Sequence, residues 1–347
     1  MRSSTSSFDR EIPGRPWGRI GFAVALATLV FLVSWELYWR SQGYVPSYND
    51  TPQLWASQRQ RLVSEGKTAT VLAGASRVLF DIDSEVWTEE LGEKPIYLGI
   101  CGGSARPVLE DLAGEEHFSG TLVCGVMPGL FFSLGPPYFN GMDFVNYYHR
   151  KWSPASKLSF WVARPLESNL AFLNKDLLSF DGLITQWLTK NDPNATPPIQ
   201  VSTIRADRRN LMLPQLESDP QFRERIRKVY KIMLGYGRTP PEPMIQKMLG
   251  LVKDSTDRIR ARGGKILFVR FPSTDYYREV ENEKWPRAQF WDRLLEVTGV
   301  PGIHFEDYPE LTGFECPEWS HLKPEDAMKF TKAFLPIYKE VMARHYP

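Results

Sequence analysis

The chain is poor in the residues that build metal and redox centres. Its 347 residues include three cysteines, Cys101, Cys124 and Cys316, and five histidines. No CxxC pair and no Cys/His cluster at zinc spacing occurs, which argues against a structural zinc module. An odd cysteine count builds no disulfide framework. One bridge can form in an oxidising compartment, and sequence does not choose its pair. The GxxxxGK[ST] phosphate loop is absent, which argues against a P-loop nucleoside triphosphatase. An excess of one charge is missing too: 42 Lys and Arg stand against 41 Asp and Glu, a net charge of +1. Bulk electrostatics therefore predict no nucleic-acid partner. No cofactor motif and no internal repeat is visible. With 42% hydrophobic and 24% charged residues the chain reads as globular, and its length suits one large domain or two ordinary ones.

Long hydrophobic runs are also scarce, with one exception. From Ile20 to Trp35 no residue is charged; Glu36 interrupts, and Leu37, Tyr38 and Trp39 finish the run. About 20 helical residues cross a bilayer core, so residues 20–39 read as a slightly short transmembrane anchor. Arg19 and Arg40 can reach the two interfaces, and Trp35, Tyr38 and Trp39 suit an aromatic belt. A cleaved signal peptide is the alternative, but no small-x-small site closes the run. Arg2, Arg10, Arg15 and Arg19 precede it, and no Lys or Arg follows Arg40 until Arg59. The positive-inside rule then leaves residues 1–19 as a cytoplasmic tail and the bulk of the chain outside. Residues 40–67 read as a polar linker or stalk and a first helix.

Beyond residue 68 short apolar runs alternate with helical patterns. "TATVLAGA", "PIYLGI", "GTLVCGVM", "KILFVRF" and "GIHFED" are too short and continuous for amphipathic helices. Between them lie "DSEVWTEELG", with Asp83 as cap and Gly92 as stop, and "SARPVLEDLAG". The alternation predicts an α/β domain over 68–347 with a mainly parallel sheet. Residues 136–262 break the rhythm and read as a helical insertion, with helices over 169–190, 219–237 and 243–263. The last helix, 324–344, places Ala327, Phe330, Phe334, Tyr338 and Val341 on one face.

If "TVLAG" is the first strand, Ser76 lies just past its carboxyl end, where open α/β sheets bind ligands. Ser76 is then either a helix N-cap or a nucleophile. A nucleophile needs a base and an orienting acid. Only His321, in "CPEWSHLKPEDA", has a suggestive context, with Glu318 three residues before it. The acid can curl back to Nδ1 and leave Nε2 for a serine.

In these blocks the chain resembles the SGNH (GDSL-like) hydrolase superfamily, in its membrane-anchored bacterial branch. The resemblance runs over about 68–345, apart from the insertion. It implies a flavodoxin-like three-layer fold and serine-dependent O-acyl ester hydrolysis or transfer. It places the nucleophile on Ser76, the base and acid on His321 and Glu318, and oxyanion donors near Gly102 and Gly103. It further implies a cell-envelope or exported glycan as acceptor, an acyl donor, a membrane acyltransferase as partner, and a periplasmic domain anchored in the inner membrane. Three positions depart from the family pattern. No Asn follows the third strand in "CGVMPGLFF", the usual Asp is Glu318, and Arg77 follows the serine with no Asp before it. A catalytically degenerate glycan-binding or scaffold domain is the competing expectation.

Two arginines complete the candidate set. Arg270 ends a buried strand, where an unpaired charge is costly; it either contacts an acidic substrate group or pairs with an internal carboxylate. Arg77 carries the same two readings. Cys101 lacks a base nearby and reads as a small buried residue. The aromatic-rich stretch 129–150 fits a groove for sugar or acyl chains, core packing, or contact with the membrane surface.

Overall fold

The computed structural model describes residues 16–189 and 200–347. Each apolar run forms a strand: β1 (Thr70–Ala73), β2 (Ile96–Tyr97) and β3 (Thr121–Gly125) come first. A small antiparallel pair follows, β4 (Ser202–Ile204) with β5 (Asn210–Met212), and then β6 (Lys265–Arg270) and β7 (Gly302–His304). The five main strands make one parallel sheet in the order β2-β1-β3-β6-β7. Alternate residues feed two cores. Val71, Leu122, Cys124 and Phe268 face one, while Leu72, Val123, Leu267 and Val269 face the other. Burial on both faces is why these strands read as continuous apolar runs rather than alternating ones.

Helices cover both faces. On one side lie Pro52–Gln60, Arg106–Gly114, Pro136–Lys151 and Glu242–Ala261; on the other lie Ser76–Asp81, Ser84–Leu91 and Pro324–His345. The Asp83 carboxylate caps its helix by accepting from Glu85 and Val86 N–H, and Gly92 ends it at φ 73°. The last helix buries all five residues of its apolar stripe. Each such aromatic contributes roughly 1.5–3 kcal/mol of burial.

Between β3 and β6 the helices Pro220–Tyr236 and Glu242–Ala261 follow the expected patterns. The second packs Ile245, Met248, Leu249, Val252 and Ile259 on the core and carries the chain back to β6. The stretch expected as one helix over 169–190 is instead broken into Ala171–Leu173, Lys175–Leu178 and Phe180–Thr189. Ser179 interrupts it, because its hydroxyl accepts from Gly182 N–H and starts a new helix. Lys190 and the loop 191–199 lie outside the described residues. The β4–β5 pair has no counterpart in the sequence reading, since three-residue strands around the charged turn "RADRR" give too little alternation.

The N-terminal helix Trp17–Ser41 is 25 residues long and apolar enough to cross a membrane, with a mean hydropathy of 2.1 in its best window. No part of that window is covered by the rest of the protein. Its far end is docked. The Glu36 carboxylate accepts from Ala171 N–H at 3.0 Å and Phe172 N–H at 3.2 Å, and Arg40 donates to Asn169 O at 2.9 Å.

Candidate active site

The strand order reverses between β1 and β3, so both strands open at their carboxyl ends into one crevice. Ser76 stands there as the first residue of the helix Ser76–Asp81, and Ala75 takes the N-cap position. The Ser76 hydroxyl lies 2.7 Å from His321 Nε2. On the other side of the ring, His321 Nδ1 meets the Glu318 carboxylate. The structure thus brings together three residues that are 245 positions apart at their most distant.

Two short devices hold this geometry. The first is the loop before the last helix. Trp319 sits at φ +79°, a left-handed turn that folds Glu318 back toward His321. The longer glutamate arm then reaches Nδ1 with one oxygen, while the other accepts from Ser320 N–H (2.7 Å) and His321 N–H (3.2 Å). The second is the helix that begins at Ser76. Arg77 Nε donates to Ser320 O at 3.1 Å, Asp81 Oδ1 accepts from Leu322 N–H at 3.0 Å, and Phe80 stacks on the His321 ring at 4.2 Å. Four of its six residues therefore serve the serine or the histidine loop.

Arg77 and Arg270 are both 2% exposed and converge on one carboxylate, Glu281. Arg77 Nη1 lies 3.1 Å from Glu281 and Arg270 Nη2 lies 2.6 Å from it. Ser273 also donates to this carboxylate at 2.6 Å. Burial by itself would raise the Glu281 carboxyl, but Arg270, Arg77 and the Ser273 hydroxyl hold it down to about 2. One carboxylate cannot neutralise two guanidiniums. Burial, helped by the Arg77 charge, outweighs Glu281 and lowers Arg270 to about 10. Both arginines are thus committed to an internal ion cluster, and Arg77 also positions the histidine loop.

The two candidate glycines differ. The ladder from β1 continues past its end, with Ile100 N–H donating to Gly74 O at 2.9 Å, which brings the next turn beside Ser76. Gly103 N–H closes that turn onto Ile100 O at 2.9 Å, and Gly102 supplies its positive φ of 63°. Gly102 also lines a cavity of about 810 Å³, whose walls include Met127, Leu130, Leu234, Tyr277 and Trp285. Met127, Leu234 and Tyr277 pack with Ala75, the residue before the serine. An apolar chamber of this size, with walls that pack against the residue before Ser76, can take the hydrocarbon part of a ligand.

Four further residues at the site escaped the sequence reading. Tyr230, from the helix Pro220–Tyr236, brings its hydroxyl to 3.4 Å from His321 Nδ1. Burial first, then the nearby Glu318 charge, pushes that phenol well above its usual range, so it stays protonated. Phe80 supports the ring. Asn140 donates to Cys101 O at 3.2 Å and lines the cavity beside Gly102. Asn210, 3% exposed, points its amide at Cys101 Sγ, 3.5 Å away. Nothing in local spacing marks these residues; only Asn140 lay near a block where an amide was sought. Cys101 itself is pushed up to about 12, chiefly by burial, and so remains a thiol. No protein-family model matches the chain, and comparison with curated proteins gave no match.

Proposed function

We propose that the chain is a serine O-acyl esterase or O-acyltransferase of the SGNH type. The N-terminal helix would anchor it in the bacterial inner membrane, with its α/β domain on the periplasmic side. The observation that carries this reading is the Ser76–His321–Glu318 relay at hydrogen-bond spacing. The strand order β2-β1-β3-β6-β7 is that of flavodoxin-like sheets and supports the fold part of the reading, as do helices on both faces.

In the reaction, Ser76 Oγ attacks the ester carbonyl carbon while its proton passes to His321 Nε2. Glu318 stabilises the imidazolium, and donors in the Gly102 turn and after Ser76 face the oxyanion. The carbonyl–oxygen ester bond breaks, and His321 returns the proton to the leaving alcohol. Water or a sugar hydroxyl then takes the acyl group from Ser76, the first giving hydrolysis and the second transfer. The apolar cavity supports an acyl group with hydrocarbon character. Resemblance alone suggests an envelope or exported glycan as acceptor and a membrane acyltransferase as partner. A non-catalytic, glycan-binding reading has one observation in its favour: no Asn lies between Val126 and Phe132, after β3.

A fluorophosphonate serine probe applied to the full chain in detergent tests the proposal. Labelling at Ser76, absent in Ser76→Ala and His321→Ala, is the expected result. A folded protein that takes no label at Ser76 overturns the enzyme reading and leaves the binding domain.

A further inference from the structure

We propose that the insertion between β3 and β6 carries a second membrane contact: two amphipathic helices that lie in the headgroup region of the bilayer beside the N-terminal helix. The proposal rests on the reading of Trp17–Ser41 as a membrane anchor.

Two helices carry the observation. Pro154–Glu167 turns Phe160 inward, where it packs on Trp152. Its opposite side exposes Leu158 (67%), Trp161 (60%), Val162 and Leu166, at helical spacing. Phe180–Thr189 differs in that its apolar residues share one face, on which Leu183 packs toward Trp39 and Leu178 while Phe180 (81%), Trp187 (76%) and Leu188 stay exposed. A folded domain in water rarely exposes two tryptophans and several large aliphatics on adjoining helices. With 14 and 10 residues both helices are too short to cross a bilayer core, and a short helix with an exposed apolar face suits the interface.

The occupant follows from what these helices are attached to. The segment that joins them, 168–179, receives the end of the apolar N-terminal helix. Glu36 caps Ala171 and Phe172, Arg40 bonds Asn169 O, and Trp39 packs on Leu178. If that helix spans a bilayer, Trp35, Tyr38 and Trp39 mark the level of its outer interface. The exposed faces are fastened at that same level. Basic groups flank the first of them as interfacial anchors would: Arg164 lies over the Trp161 ring at 5.2 Å and Lys157 over Trp152 at 5.9 Å. Lipid acyl chains would receive the apolar side chains, and phosphate headgroups the cations. The insertion would then hold the α/β domain close to the membrane rather than let it swing on a stalk.

The test uses the full chain with Cys101→Ser, reconstituted alone into phosphatidylcholine–phosphatidylglycerol vesicles. Cys124 and Cys316 are buried and stay, and one exposed cysteine added at a time, Leu29→Cys, Trp161→Cys, Trp187→Cys or Glu340→Cys, carries an environment-sensitive fluorophore. Glu340 is exposed on the last helix, which packs on the other face of the sheet. We expect labels at 161 and 187 to shift to the blue and to be quenched more by a nitroxide near the headgroup than by one near the chain end. The label at 29 should show the reverse order, and that at 340 no quenching. Labels at 161 and 187 that behave like 340, with 29 still quenched, overturn the proposal while the anchor stands; a protein partner then covers the patch. A label at 29 that stays in water overturns both.

Discussion

Glu281 and Glu318 are both buried carboxylates, the first bound to Arg77 and the second to the histidine that meets Ser76, but their surroundings differ in kind. Glu281 faces two guanidiniums and a hydroxyl. Its two arginine partners are cations at neutral and acidic pH, so over that range the charge is matched without a proton transfer. Glu318 faces an imidazole and two backbone N–H groups. Its partner becomes a cation only on accepting a proton. The permanent pair can fix positions and nothing more, because no step of a reaction changes it. In the proposed reaction the conditional pair would strengthen as His321 takes the serine proton, which is when that reaction would need it. Electrostatics thus divides the crevice into a scaffold side and a chemical side.

The largest effects should come from breaking the chemical side. Ser76→Ala and His321→Ala are each expected to lower turnover of an O-acyl ester by about 10⁴-fold or more, with little change in melting temperature. Glu318→Gln keeps an acceptor for the two backbone N–H groups but cannot stabilise the imidazolium. A loss on the order of 10³–10⁴-fold in kcat is expected. If Glu318→Gln cost only a few-fold, the carboxylate would be a capping group for its loop, and the contrast with Glu281 would collapse.

On the scaffold side the expected loss is of stability. Glu281→Ala leaves two buried guanidiniums without their anion and should cost about 3–5 kcal/mol in chemical denaturation. The pH dependence carries its own sign. The folded carboxyl sits near 2, below its ordinary 4.5. Its contribution is therefore complete above about pH 4.5 and is lost as pH falls toward 2, a change of about 3 kcal/mol. Glu281→Gln should flatten that acid limb in unfolding curves recorded over the same range. A limb unchanged in Glu281→Gln would assign the acid sensitivity to other carboxylates.

The two sides were unequally legible in the sequence. Ser76, Glu318 and His321 stand at strand and helix ends, and local patterning marks such ends. Apolar runs closed by glycine located the strands, and an acid three residues before a histidine at the entry to the last helix located the loop. Arg270 raised the question of an internal partner. The answer, Glu281, lies on a helix outside the sheet, and Arg77 meets it across 204 positions. No spacing rule reaches that far. Tyr230 lies on a helix that the pattern located and Asn210 on a three-residue strand that it did not, but neither pattern says what the side chain approaches, so only the folded chain reveals it.

Tyr230 offers the finest test of the division. Its hydroxyl is 3.4 Å from His321 Nδ1, on the same ring edge that Glu318 holds. Tyr230→Phe removes that hydroxyl while keeping the edge-on packing against Tyr277, where the ring centroids are 5.5 Å apart. At this distance the contact is a long hydrogen bond at best, and such bonds contribute about 0.5–1.5 kcal/mol. A fall of about two- to tenfold in kcat/KM is therefore expected, with the melting temperature nearly unchanged. The split between kcat and KM should separate two roles. If the phenol only packs beside the ring, kcat is nearly unchanged. If its hydroxyl helps hold the ring, kcat falls while KM stays in place. A loss as large as that of Glu318→Gln would make the phenol a principal partner of the imidazole, and the carboxylate would no longer be the feature that sets this side of the crevice apart.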